Sequence, residues 1–224
     1  MPRCCATASW TRAREVTAMS GTTRLLPLFP LQTVLFPGAL LGLKIFETRY
    51  LDLVSECLRS GQPFGVICLR QGAEAGRGKS PVQLEDVGVL AHIEEVDAEQ
   101  PGILHLRCLG GQRFRLAGEA TQRENGLWQA GVEWIEPDPP RQPGPAVRHT
   151  VDALAEAIRK LQSQDKLPFA QPYRLDDAGW VANRWCELLP VSLAARQKLM
   201  ELDDPVIRLS LVDGFLRDKK VIVT

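Results

Sequence analysis

The residues of this chain whose types and spacing could do chemistry are few, and each group stops short of a working apparatus. Gly72-Ala-Glu-Ala-Gly-Arg-Gly78-Lys79-Ser80 has the cast of a phosphate loop, in which turn amides surround a phosphate and a helix begins behind it. The place that should hold the first glycine is Ala73, Gly72 comes one residue early, and Pro81 and a strand pattern follow instead of a helix. The stretch reads as a solvated hairpin loop. Ser163-Gln-Asp-Lys166 satisfies S-x-x-K, the spacing with which a lysine helps activate a serine in penicillin-recognising enzymes. Neither K-T-G nor S-D-N accompanies it, and it falls where a helix ends. His92, His105 and His149 are the three histidines, and His92-Ile-Glu-Glu lacks the second histidine of a zinc-binding helix. Glu94, Glu95, Asp97 and Glu99 read as a solvated acidic turn at a strand end. Cysteines 4, 5, 57, 68, 108 and 186 form no C-x-x-C, and the last four lie among apolar neighbours as buried thiols in a reducing cytoplasm. The sequence therefore predicts no cofactor, no metal and no catalytic constellation.

Charge narrows the partners. Lys plus Arg and Asp plus Glu are both 27, so the net charge is zero, whereas a nucleic-acid binder usually carries a basic domain. The one basic cluster that strand alternation assembles is Arg107, Arg113 and Arg115, joined by Arg123. Phe114 and Leu116 are expected inward there, and Arg113 and Arg115 outward.

The elements that must position any site begin in residues 25–50, LLPLFPLQTVLFPGALLGLKIFETRY. Pro27, Pro30 and Pro37 cut this apolar run into pieces far shorter than the ~20 residues of a membrane-spanning helix, and they rule out one long soluble helix as well. Short strands fit: Arg24–Leu28, a turn at Phe29-Pro30, an extended Val34-Leu35-Phe36 before Pro37-Gly38, then Ala39–Phe46. The last of these, apolar on both faces except at Lys44, is predicted to be a central, covered strand. Glu47–Arg59 shifts to helical period, with Tyr50, Leu53, Val54, Cys57 and Leu58 on one stripe and Ser60-Gly61 as the stop. Charges at Glu47 and Arg49 beside buried strand need partners. Their main reading is architectural, tying helix to sheet with Phe46 and Tyr50 packed beneath; the alternative is that they line a ligand groove.

The ordered pattern L-P-L-F-P-L-x-x-V-L-F-P-G…L-x-I-F-E-x-R-Y, followed by a helix and F-G-V-I, resembles the opening of the N-terminal, substrate-binding domain of ATP-dependent Lon proteases. It is closest to the stand-alone bacterial proteins built from that domain, and the similarity runs from about Leu25 to Leu216. The motif residues are Pro30, Phe36, Pro37, Gly38, Phe46, Glu47, Arg49 and Tyr50. The resemblance implies an α+β protein: a β-rich, PUA-like pseudo-barrel with one inserted helix, then a C-terminal bundle of about four helices. It implies recognition of unfolded or exposed polypeptide segments, alone or with a separate protease or chaperone. Complete Lon proteases pair an ATPase with a Ser/Lys peptidase module, and this chain is too short for either. PUA-like barrels elsewhere bind RNA, so an RNA or nucleotide module using the arginine cluster is the alternative. A small hydrolase with a dispersed site is the third.

The rest of the chain fits that plan. Strands are expected at Phe64–Arg70, Leu84–Asp97 with a bend, Ile103–Leu109, Arg113–Leu116 after a Gly110-Gly111 hairpin, and Trp128–Trp134. Proline-rich residues 137–147 read as a linker between a barrel at 24–136 and a bundle at 148–219, with a tail at 220–224. In the bundle, stripes of Val151, Leu154, Ile158 and Leu161, and of Val181, Trp185, Leu188 and Leu189, mark two helices. Ser192 and Asp204 cap two more, the last with Ile207, Leu211, Phe215 and Leu216 inward. Residues 1–23 show Arg3, Arg12 and Arg14 but no apolar stretch of export-signal length. They read as a poorly ordered leader, with Met19 as an alternative start, on a cytoplasmic protein without a membrane segment.

Overall fold

The computed structural model describes residues 24–72, 82–164, 166 and 168–222. The leader, most of the glycine-rich loop and Asp165 of the S-x-x-K stretch lie outside them. Seven strands and five helices follow in the order β1 (Arg24–Leu31), β2 (Leu40–Ile45), α1 (Thr48–Ser60), β3 (Phe64–Gln71), β4 (Gln83–Gln100), β5 (Ile103–Leu116), β6 (Thr121–Gln122), β7 (Trp128–Trp134), α2 (Arg148–Gln162), α3 (Ala178–Leu188), α4 (Leu193–Glu201) and α5 (Pro205–Asp218). A short 3-10 turn at Pro145–Val147 leads into α2. The fold is α+β, as expected.

The sheet runs β2-β5-β4-β3-β1-β7-β6, and a further β5–β7 pairing closes its middle five strands into a ring. The predicted turn at Phe29-Pro30 does not form, and β1 continues to Leu31. Its prolines are tolerated because β1 changes partners along its length. Arg24 to Leu28 pair antiparallel with β7, while Leu28 to Leu31 pair parallel with β3. Pro27 and Pro30 thus each sit where β1 has one neighbour, and a missing donor can face the unpaired side.

Gly110-Gly111 is not a hairpin either; β5 runs straight through it. The glycines are there for space. Gly38 N–H donates to the Gly110 carbonyl at 2.7 Å and Gly110 N–H to the Ala39 carbonyl at 2.8 Å. A Cβ on Gly110 would lie 2.2 Å from the Phe36 carbonyl oxygen, and one on Gly111 2.6 Å from His92 Nε2.

Three further expectations are corrected. β2 is an edge strand, not a central one: it pairs with β5 alone among the described residues, and Gly42 and Lys44 are exposed. Only one of its faces, carrying Leu41, Leu43 and Ile45, turns to the core. On α5 the inward positions are Pro205, Arg208, Leu209, Val212, Asp213 and Leu216, while Ile207 and Leu211 are exposed. An apolar stripe misplaces this helix because two charged residues find partners inside. Arg208 donates to Asn183 Oδ1 at 3.0 Å, to the Leu199 carbonyl at 2.9 Å and to Asp138 Oδ2 at 2.6 Å. Asp213 accepts from Thr150 and, at 2.7 Å, from Arg217. Leu188, expected on the α3 stripe, is also exposed.

Barrel and helices share one apolar cluster, from Phe36, Leu106 and Cys108 to Trp185, Leu209 and Leu216. A smaller cluster of Leu26, Leu28, Ile67, Leu90, Phe114, Ala130 and Val132 fills the ring. Asp138, in the expected linker, bonds to both Arg113 of β5 and Arg208 of α5 and so ties the two parts together.

Candidate functional site

The motif residues divide into two groups. At its start, Phe36 is fully buried, Pro30 is buried, and Gly38 turns the chain at φ 74°. Arg184 of α3, fully buried, donates to the Pro37 carbonyl at 2.9 Å and to the Gly38 carbonyl, pairs with Glu187 at 2.5 Å, and lies 5.4 Å from the Phe169 ring centre. Burial, opposed by Arg184, pushes the Glu187 carboxyl up to about 7. This half of the motif anchors the helices to the barrel.

The second half builds a groove. β2 ends at Ile45, and Glu47 is the extended N-cap of α1, with ψ 134°. Its carboxylate does not cap the helix but pairs with Arg49 at 2.8 Å. Arg49 in turn donates to the Gly126 carbonyl at 3.1 Å and lies 4.7 Å from the Tyr50 ring centre. Tyr50 is buried and stacks on Phe29 with centroids 3.9 Å apart. The Glu47–Arg49 pair thus fixes the first turn of α1 against the β6–β7 turn, and the Phe29–Tyr50 stack is held in place. Phe46 does not pack beneath; it is 58% exposed. Between the stack and β2 lies a cavity of about 330 Å³, lined by Phe29, Leu31, Leu41, Leu43, Ile45 and Tyr50, with Phe46, Lys44, Glu47 and Thr33 also on its wall. It runs along the free edge of β2. A smaller hollow of about 250 Å³ lies at the other end of α1, among Leu25, Pro27, Trp134 and the Glu56–Arg123 pair.

The four arginines do not form one basic surface. Arg113 is buried, not outward, because β5 is covered on both faces there. It donates to the Met200 and Leu202 carbonyls at 3.0 and 2.9 Å and to Asp138 at 3.0 Å. Arg107 pairs with Glu95, and Arg123 with Glu56 at 3.2 Å. Arg115 is exposed. His105 is on the exposed strand face, as alternation predicts, and no group of three or more His, Cys, Asp or Glu among the described residues could hold a metal. Burial pushes the thiols of Cys57, Cys108 and Cys186 up to about 11, 12 and 12. Among the described residues no helix is long and apolar enough to cross a membrane.

Sequence reasoning missed Arg184, Asp138 and Arg208, and also the groove-lining roles of Phe29, Leu31, Leu41 and Leu43. Arg184 and Gly38 are 146 positions apart, and no local pattern links them. Leu41 and Leu43 carried a signal in their alternation with Gly42 and Lys44, which marks a strand covered on one side.

The middle of the sheet thus closes into a PUA-like barrel with one inserted helix, followed by a packed helical tail. Residues 25–218 match the family model of the ATP-dependent protease La (LON) substrate-binding domain, and the chain belongs to that family. It is similar to the Lon protease of Methylocella silvestris, 27% identical over 189 residues, covering 83% of this chain and 23% of that protein. Lon protease 2 of Herpetosiphon aurantiacus is 29% identical over 199 residues, covering 86% and 24%. The chain thus spans about a quarter of the length of these relatives, and the match falls in the substrate-binding domain alone. The crystal structure of a Lon N-terminal domain protein from Xanthomonas campestris superposes with a TM-score of 0.68 at 37% identity, covering 84% of this chain and 96% of that one. The N-terminal domain of the Mycobacterium avium complex Lon protease, at 15% identity and a TM-score of 0.58, shares the fold, covering 87% and 99%.

Proposed function

We propose that this chain recognises unfolded or exposed segments of other polypeptides without cutting them, and serves a separate protease or chaperone. The observation that carries this reading is the free edge of β2 running beside the apolar cavity under Phe29 and Tyr50. An extended segment added to that edge gains main-chain hydrogen bonds, and its alternate side chains enter the cavity. Sealing each apolar side chain from water contributes ~1.5–3 kcal/mol. Against the cost of association this supports weak, roughly micromolar to millimolar binding, suited to sampling many chains.

Hydrogen exchange tests it. A reduced, carboxymethylated protein that stays unfolded is added to the intact chain. Slowed amide exchange in residues 40–46 is the expected result. Binding with protection elsewhere rejects β2 as the site, and absence of binding at millimolar peptide rejects the function.

A further inference from the structure

The register around β2 dictates what the groove accepts, a selectivity that rests on the reading of β2 as the docking edge. From Glu95 to the end of β4, the outer three strands β4–β5–β2 project beyond β3, whose pairing with β4 stops at Ala91. Across them the side chains line up in rows. On the groove face, Val96, Leu106 and Leu43 are register partners, as are Ile93, Cys108 and Leu41. On the alternate face, whose β2 members Gly42 and Lys44 also border the cavity at the strand edge, one row reads Asp97, His105, Lys44 and the next reads Glu95, Arg107, Gly42. In the second row Arg107 is already neutralised by Glu95. The first row ends at β2 on Lys44, which is exposed and has no ion pair among the described residues. The second ends on Gly42, where an added Cβ would meet nothing within 4 Å.

A strand laid on this edge must continue both rows. Its residue beside Lys44 sits about 5 Å away, where an opposite charge is favourable and a like charge is not. Its residue beside Gly42 has open space over the glycine, and the Arg107 guanidinium is the next group in the row, a setting that favours a bulky aromatic ring. The residue between these two faces the cavity and must be apolar. The far edge of the projection is guarded differently: Glu94 and Asp97 of β4 are exposed there, and edge charges of this kind discourage strand addition. We infer that the β2 edge selects extended segments in which an acidic residue and a bulky aromatic flank an apolar one, the acidic residue being read by Lys44 and the aromatic by the gap at Gly42.

The test uses two fluorescein-labelled peptides whose core reads alike in both directions, so that parallel and antiparallel docking are both satisfied. One has the core Asp-Leu-Tyr-Leu-Asp, the other Lys-Leu-Tyr-Leu-Lys, each flanked by threonines. Anisotropy titration of the full chain at low salt is expected to show the acidic peptide binding about fivefold more tightly, with the difference shrinking as salt is added. Lys44→Glu should reverse the preference and Lys44→Gln should abolish it. Melting curves matching the unsubstituted protein show that both variants are folded, as exposure of Lys44 predicts. Equal affinity for the two peptides, or an acidic preference that survives Lys44→Glu, overturns the inference while leaving polypeptide recognition standing. Failure of both peptides together with the unfolded protein overturns recognition itself. Sedimentation showing a dimer that the peptides dissociate assigns the edge to a second copy of the chain, and overturns the inference as well.

Discussion

Arg184 and Glu187 sit side by side on α3, and their pairing is the cost of placing a guanidinium beneath Pro37 and Gly38. Arg184 has no exposed surface, whereas the Glu187 side chain keeps a fifth of its own. Burial moves the Glu187 carboxyl from its ordinary 4.5 to about 7, so the charged form is the costlier one in the fold. Below about pH 4.5 Glu187 is neutral folded and unfolded, and its contribution is fully present. As pH rises toward 7 the unfolded chain ionises first and that contribution is lost. Glu187→Gln does not titrate. The unsubstituted protein should therefore lose stability relative to the variant between those limits, by less than ~3 kcal/mol given the partial exposure. Urea unfolding at both ends of the window measures it, and parallel pH profiles for the two proteins would refute the assignment. The same scale explains the misreading of Arg113. Alternation places a residue on a face but is silent on whether that face is covered, and here α4 and Asp138 cover it.

Helix α5 shows how an element can be recognised correctly and oriented incorrectly. Its Asp204 cap and its proline start are as expected, and the Asp204 side chain accepts from Val206 and Ile207 N–H at 2.8 and 3.2 Å. Its inward face is set instead by Arg208 and Asp213, for which a hydrophobic stripe gives no credit. Leu209 is 1% exposed and Leu211 54%. Leu209→Ala should cost ~2–5 kcal/mol and Leu211→Ala under about 1, measured as shifts in urea midpoint at constant slope; similar losses for both would mean that Leu211 is covered. β5 teaches the same for strands. Paired glycines announced a turn, yet Gly110 serves the close crossing of the Phe36 segment and Gly111 makes room for His92. Gly110→Ala, whose Cβ would press on the Phe36 carbonyl, should destabilise by several times more than Gly118→Ala, where nothing lies within 4 Å. Equal effects in thermal melts would count against that crossing.

At the scale of the molecule, the 137–147 stretch does more than space two bodies. Asp138 joins Arg113 of the barrel to Arg208 of the bundle, at 3.0 and 2.6 Å, and the main apolar cluster extends across both. Removing one partner from such a buried charge cluster costs ~3–5 kcal/mol, because the other charges are left uncompensated. The chain should accordingly unfold in one transition. Trp128 and Trp134 report on the barrel and Trp180 and Trp185 on the bundle. Single-tryptophan versions of each pair should give coincident denaturant midpoints, and separated midpoints would show two independently stable parts. The β2 edge is the counterpart of this tight joining: it is paired on one side only among the described residues, so a strand added there would break no existing sheet pairing.

By itself the sequence determined the family, the α+β architecture, the caps at Ser192 and Asp204 and the inserted helix after Phe46. All of these rest on local spacing, on proline and glycine chemistry, and on a long ordered motif. Only the tertiary structure decided that β2 is an edge, that Arg113 and Arg208 are interior, that Phe46 faces water, and that Arg184 holds Pro37 and Gly38. Each of these depends on which distant segment covers a given face, and a periodicity along one chain carries no record of the element packed across from it.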